Sequence, residues 1–458
     1  MAKSSPKKSR TLFIRFWQRL CRNVVSVFYR RFEVSGLENI PPDSGIILCA
    51  NHVNALVDPV VLQASTSLVI RPLARSGLFK NPLLKPIMET IGAVPIFRRG
   101  DPGSDTARNK DSFSRCYELL ANNETLIIFP EGQSHSDPHL HDLKTGAARM
   151  AFGAIETNRK TPAVIPVGLT FTRKGTFRSD VLVQFGKPVD LEIPPDTDER
   201  DAIRLLTKRI ANGLSNVTLN AESWQDIDLV DRLERFFAFR HGKYRQRNLT
   251  TRFRTLQRLI EGQRLLRHHE PNRVRSIINQ LRMFERLCQT CGIKDYHLTV
   301  EYKPILVTIY IIRTLTMLFL IFPIALWGIL NSVIPFYLTR FLSRRFAKGT
   351  DQYDTTKIVL GFVFFLLFWS IQCFYVYYHF GLGWMLIYLI SVIIGVAVAL
   401  AIRGENKRIR ENIKVFFLFA RKRQLREYLE TKRHDLEVEL ARLVRIAKRL
   451  PQTDPLEE

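Results

Sequence analysis

The chain is poor in acidic residues, in cysteine and in the common cofactor signatures. Against 68 Lys and Arg stand only 43 Asp and Glu, a formal net charge of +25. Such a surplus favours an anionic partner: nucleic acid, a phosphate-bearing substrate or the acidic face of a membrane. No helix-turn-helix, zinc-finger or RNP pattern occurs, so nucleic acid is not expected as a partner. Six cysteines are scattered along the chain, and only Cys288 and Cys291 form a C-x-x-C. Without a second pair this does not argue for zinc, and a reduced, cytosol-facing setting is the expectation. The N-terminal residues show neither an apolar h-region nor a small-residue cleavage site, so a cleavable signal is not expected. There is no Gly-rich phosphate loop of the P-loop or dinucleotide kind.

What is present divides by pattern. Residues 1–32 read as a basic tail and an amphipathic helix over 10–31. Phe13, Phe16, Trp17, Leu20, Val24 and Val27 share one face at helical spacing, and Arg15, Arg19 and Arg22 lie opposite. An aromatic face opposed by arginines suits a helix lying on a membrane surface, although packing on the globular core would use the same face. Residues 33–195 carry short Val-, Ile- and Phe-rich stretches at 45–50, 93–97, 125–129, 163–169 and 181–185. Helical patterns over 110–121 and 144–156 lie between them. This alternation predicts an α/β domain, a sheet flanked by helices. Residues 196–303 read as a basic helical insert.

Residues 304–403 are the membrane part. Stretches 358–378 and 382–402 are each about 21 residues long, enough to span a bilayer core, and only three residues separate them, which predicts a tight hairpin. The stretch 304–342 is too long for one span; Pro323 and Arg313 interrupt it. Residues 404–458 form a basic helical tail with an apolar seam at Leu425, Leu429, Leu436, Leu440 and Leu443. The basic segment 340–357 and the tail both belong on the cytosolic side by the positive-inside rule. The N-terminal half is basic as well, so an even number of crossings must precede residue 340. Two short or re-entrant passes hinged near Pro323 satisfy this.

Directly after the stretch 45–50 comes Asn51-His52-Val53-Asn54-Ala55-Leu56-Val57-Asp58-Pro59. A histidine at a strand end with a nearby carboxylate can act as a general base, the Asp58 carboxylate fixing the His52 tautomer. Alone, the pattern fits a surface histidine beside a helix-capping aspartate more readily. Three further blocks follow in order: Gly92-Ala93-Val94-Pro95-Ile96-Phe97-Arg98, then Phe129-Pro130-Glu131-Gly132, then Val164-Ile165-Pro166-Val167-Gly168-Leu169.

The four blocks together resemble those of the glycerolipid acyltransferase family. The extended H-x-N-x-L-V-D-P form with F-P-E-G-x-S-H is closest to its fungal-type glycerol-3-phosphate acyltransferases and their bacterial relatives. The resemblance covers about residues 33–190 and makes residues 33–195 an acyltransferase catalytic domain, followed by the helical insert and a C-terminal α-helical membrane region. It implies that His52 deprotonates an acceptor hydroxyl, which attacks an acyl thioester, while Asp58 orients His52. It implies no covalent acyl-enzyme, in keeping with the lack of a G-x-S-x-G elbow. It further implies that Arg98, Glu131 and Gly132 form the acceptor site. The guanidinium of Arg98 suits a phosphate on its own chemistry, whereas Glu131 must orient a cation or the loop.

Two departures stand out. Five residues separate His52 from Asp58 where four are common, and Gln133-Ser134-His135 replaces the usual Thr-Arg. The missing arginine leaves phosphate binding to Arg71, Arg75, Lys80 or Lys144. His135, Asp137, His139, His141 and Asp142 cluster in sequence without a spacing that defines a metal site, so no metal is assigned. No cofactor is expected beyond the donor, acyl-CoA or acyl carrier protein. The expected partners are a glycerol-phosphate acceptor, that donor and membrane lipids, with the catalytic domain on the cytosolic face of the bacterial inner membrane or endoplasmic reticulum. The acceptor is expected to be glycerol-3-phosphate, in phospholipid biosynthesis. The alternatives are a 1-acyl-glycerol-3-phosphate or other lysophospholipid acyltransferase and, outside enzymes, a membrane-anchored polyanion-binding protein.

Overall fold

The structure is a computed structural model. It describes residues 6–447 and 449 apart from 83, 99–104, 159–160, 241–247, 299–308, 310–311, 348 and 350. The chain forms two compact units. The first comprises residues 1–224, 248–253 and 347–356, and the second the remainder.

The first unit is built on a seven-stranded sheet. Its strands are β1 (Arg31–Ser35), β2 (Ile46–Ala50), β3 (Ile70–Arg75), β4 (Val94–Ile96), β5 (Thr125–Ile128), β6 (Ala163–Phe171) and β7 (Asp180–Phe185). The order is β1-β7-β6-β2-β5-β3-β4, with β6 and β7 antiparallel and every other neighbouring pair parallel. Strand β2 lies centrally and is buried throughout, as its uninterrupted apolar sequence requires. Ile47 and Cys49 turn to one face and join α4 (Asn109–Ala121), α5 (Gly146–Asn158) and α6 (Glu199–Val217) in a single core. Helix α6 packs on β6 so closely that a Cβ on Gly168 would meet the Val217 carbonyl at 1.7 Å. The first unit therefore runs past residue 195, as far as Trp224.

Five strands stand where the apolar stretches predicted them; β1 and β3 were not foreseen. Strand β1 is short and carries Arg31 and Glu33, which blurs the apolar run. Strand β3 contains Pro72, which lacks the N–H that a ladder needs. Its pairing passes there from β5 (residues 70–72) to β4 (residues 73–75).

The N-terminal helix α1 (Pro6–Phe28) packs on α2 (Val57–Ser65). Among its residues with described side chains Cys21, Val25 and Phe28 are buried, and Gln18 donates to the carbonyls of Ser67 and Leu68. Phe16 and Val27, on the face expected at a membrane surface, remain exposed.

In the second unit, α7 (Trp224–Arg240), α8 (Leu249–His269), α9 (Pro271–Thr290) and α12 (Arg423–Ala447) contribute to one apolar core, apart from the ends of α7 and α8 that belong to the first unit. Leu429, Leu436, Leu440 and Leu443 of the expected seam are buried in it. The same unit holds α10 (Phe322–Phe346) and α11 (Tyr353–Arg421), apart from the first turn of α11. Among the described residues two segments, Ile312–Phe346 of 35 residues and Tyr353–Ile402 of 50, are long and apolar enough to cross a membrane.

Gly381 breaks α11 with φ 84° and ψ 177°. Tyr388 beyond the break bonds Gln372 before it, and both reach Asn331 of α10, so the two arms fold back as a hairpin. Gly328 and Gly395 let α10 meet the second arm backbone to backbone. The expected hinge at Pro323 is absent. A π-turn at Met317–Ile321 leads into α10, and helix runs unbroken from Ile312 to Phe346. The wider turn absorbs the N–H that Pro323 lacks without reversing the chain.

Candidate active site

Strand β2 ends at Ala50 and delivers Asn51 and His52 at the carboxyl edge of the parallel strands, where α/β sheets place their ligands. The Asn51 side chain extends the ladder, accepting from Leu169 N at 2.7 Å and donating to Leu169 O at 3.1 Å. The loop then tightens through Ala55, which takes φ 41°, a left-handed value unusual for a residue with a Cβ. This loop is the one that carries an extra residue relative to the common spacing. It closes onto the first turn of α2, where the helix dipole favours the Asp58 carboxylate.

Asp58 is fully buried. Its Oδ2 accepts Val53 N–H and Asn54 N–H at 2.8 Å each and lies 2.9 Å from His52 Nδ1. An oxygen that already accepts two amides takes a third donor from the imidazole, so the proton sits on Nδ1 and Nε2 keeps its lone pair. The Phe129 ring stacks on His52 with centroids 4.1 Å apart and holds the ring plane.

The third block turns around Pro130, and Gly132 N–H closes the turn on Phe129 O at 3.0 Å. Gly132 follows at φ 82°, a conformation that glycine adopts without strain. Glu131 points inward and is 3% exposed. Its Oε1 accepts His52 N–H at 2.7 Å, and its Oε2 takes His141 N–H and a close hydrogen bond from His135 Nε2. Glu131, placed with the acceptor site as a residue that orients a cation or the loop, here holds the backbone of His52 and His141.

His135, Asp137 and His141 gather into one group, with the two imidazoles stacked at 3.7 Å. His135 Nδ1 accepts Asp137 N–H and Nε2 engages Glu131, so both ring nitrogens are committed inside the protein. The group reads as a hydrogen-bonded brace for the third block. Cys49 and Cys116 are buried thiols pushed up to about 12 by burial, which disqualifies them as nucleophiles.

The cationic candidates fan out along the same sheet edge. Arg75 closes β3 opposite Ile96, and Arg98 follows β4 two residues later. Both are exposed, as is Lys80 at the end of the turn Ser76–Lys80. Lys144 N–H bonds Pro130 O at 2.7 Å, and its stem lies 3.4 Å from where a Gly132 Cβ would stand. Arg71 is corrected: it is buried and held at 2.6 and 3.0 Å by Glu124, at the opposite end of β3. Phe97, just before Arg98, is pinned by a two-way bond with Asn109.

The acyltransferase family model matches residues 31–170, the span that holds all of these groups. Residues 31–170 are an acyltransferase-family domain. Glycerol-3-phosphate O-acyltransferase 1 of Saccharomyces cerevisiae is 26% identical over 310 residues, 61% of this chain and 39% of that protein. The 1-acyl-sn-glycerol-3-phosphate acyltransferase of Borreliella burgdorferi is 24% identical over 165 residues, 36% of this chain and 61% of that one. A crystal structure of the 1-acyl-sn-glycerophosphate (LPA) acyltransferase PlsC from Thermotoga maritima is 20% identical, with a TM-score of 0.36 over 47% of this chain and 83% of that chain. The chain spans less than two fifths of the length of the yeast relative.

Several residues of the first unit carry no signal of their role in the sequence motifs. Asn51 and Asn54 organise the first block, Lys174 comes from the turn between β6 and β7, and Asp351 and Asp354 enter from residues 347–356. The available signal was the pair of acids inside a segment otherwise read as a basic flank.

Proposed function

We propose that this chain is a membrane-bound O-acyltransferase that moves a fatty acyl group from a thioester to glycerol-3-phosphate. The observation that carries the reading is the bond between His52 Nδ1 and the buried Asp58 at 2.9 Å, which leaves His52 Nε2 basic at the sheet edge. In the proposed reaction Nε2 takes the proton of the acceptor hydroxyl. The oxygen adds to the thioester carbonyl, the C–S bond breaks, and the imidazolium returns the proton to the departing thiolate. Asp58 stabilises the imidazolium between these transfers. Arg98 and Arg75, with Lys80 and Lys144, would bind the acceptor phosphate. The apolar segments would hold the chain in the bilayer, with α1 and the catalytic domain at its cytosolic surface.

The Borreliella relative supports a second reading in which the acceptor is 1-acyl-glycerol-3-phosphate. Purified full-length protein given labelled acyl-CoA with each acceptor side by side separates the two. Acyl transfer that His52→Ala abolishes, while binding to anionic vesicles persists, supports the enzyme. Undiminished transfer in His52→Ala would falsify the mechanism. Polyanion binding without any transfer would favour the membrane-anchored binding protein.

A further inference from the structure

Residues 347–356 join α10 to α11 in sequence, yet they belong to the unit that holds the acyltransferase domain. Asp354 is 1% exposed, and its Oδ2 accepts Asn54 Nδ2–H at 2.9 Å. Asp351 accepts the hydroxyl of Ser134 in the third block. The Tyr353 ring lies against Gly175, where a Cβ would come within 2.7 Å of it. The connector therefore touches the His52 loop, the third block and the turn between β6 and β7.

Asn54 bridges two buried acids, its amide N–H on Asp58 and its side-chain amide on Asp354. A cation beside two buried carboxylates offsets their mutual repulsion. Lys174 faces them, along with Asp351 and Asp137; burial holds its pKa below the usual lysine range, and the fields of Asp58, Asp351, Asp354 and Asp137 offset that only in part. The Tyr29 hydroxyl faces both acids and has no hydrogen-bond partner among the described residues. Around His52 the charged and titratable groups are thus Asp58, Glu131 and His135, then Lys174, Tyr29, Asp351, Asp354 and Asp137.

We propose that Asp354 is a positioning residue for the acyl-transfer site: through Asn54 it fixes the loop that carries His52, and together with Lys174 it sets the charge that the imidazole experiences. The proposal rests on the reading of His52 as general base. It makes the link between two candidate membrane helices a working part of the catalytic centre.

The test is the pH profile of kcat/KM for glycerol-3-phosphate with acyl-CoA, on full-length protein, for the wild type, D354A, D354N and K174M. D354A should lose about 10- to 100-fold in kcat with the acyl-CoA KM unchanged. D354N should recover much of that, because its amide oxygen still accepts from Asn54. Loss of a negative charge makes the His52 imidazolium less stable, so the acid limb of D354N should move to lower pH. Loss of the cation does the reverse, so the limb of K174M should move to higher pH. Limbs that stay in place or move in the same direction overturn the proposal. If D354A shows no melting transition, D354N and K174M decide it alone. An acid limb missing from the wild type would instead remove the base assignment itself, and the proposal with it.

Discussion

Glu131 Oε1 accepts the backbone N–H of His52 at 2.7 Å, while the N–H of His135 donates to His52 O at 3.1 Å. Both main-chain polar groups of His52 are therefore held by the third block. Two sequence motifs whose bonded residues lie 79 apart are thereby joined through their backbone.

Replacing Glu131 by Gln should be costly although the shape is kept. Three donors converge on the carboxylate, and a carboxamide offers one accepting oxygen and turns an NH2 toward a donor. We expect kcat to fall about 10- to 100-fold and stability to drop by about 1–3 kcal/mol. Turnover assays and thermal melts on E131Q check this; an unchanged kcat would show that the grip on His52 is dispensable.

Arg98→Ala and Arg75→Ala should act on the acceptor. Each removes a guanidinium from the sheet edge, and a charge-assisted hydrogen bond is worth about 1.5–3 kcal/mol, or about 10- to 100-fold in KM. The acyl-CoA KM should hold. Equal rises in both constants would take these arginines out of phosphate recognition.

Glu33 offers a pH test of stability. Its carboxylate accepts the N–H groups of Leu249 and Thr250 at 2.5 and 2.9 Å and the Thr250 hydroxyl at 2.6 Å, capping the first turn of α8. Burial pushes its pKa up, but these bonds and Arg31 outweigh burial and leave it below the usual value. A depressed folded pKa means that the stabilisation is fully present above the unfolded value of about 4.3 and is lost as pH falls through the folded value. Melting of the wild type and Glu33→Gln at about pH 7 and about pH 3 should show a deficit of about 1 kcal/mol only at the higher pH. A deficit equal at both would mean that the carboxylate charge is irrelevant to the cap.

The bond between Asn54 and Asp354 also constrains topology, since both residues must lie on one side of any membrane. A single crossing between them is excluded, so the unbroken helix Ile312–Phe346 cannot by itself carry the chain from one face to the other. Cysteines placed at exposed Gln352 and Asp43 should react with an impermeant reagent from the same side, and one at Phe380, beside the Gly381 break, from the other. Labelling of Gln352→Cys and Asp43→Cys from opposite sides would contradict the pairing.

The sequence by itself determined what is local. Val-, Ile- and Phe-rich runs need burial on both faces, so β2, β5 and β6 were readable, and the order of the blocks placed His52 and Glu131 at strand ends. The three-residue break at Gly381 marked the hairpin, because 21 apolar residues on either side leave little else. Tertiary structure decided what depends on meetings between distant segments. That the group Glu131 holds would be the backbone of His52 follows from β2 and β5 being neighbours in the sheet. That Arg71 would be spent on Glu124 follows from β3 lying beside β5. The helix through Pro323 was decided by a π-turn, which no hydropathy pattern distinguishes from a hinge. Asp354 reaches Asn54 across 300 residues of sequence. Neither periodicity nor spacing could foretell that contact, since it exists only where the fold returns residues 347–356 to the catalytic unit and gives their acids a buried partner.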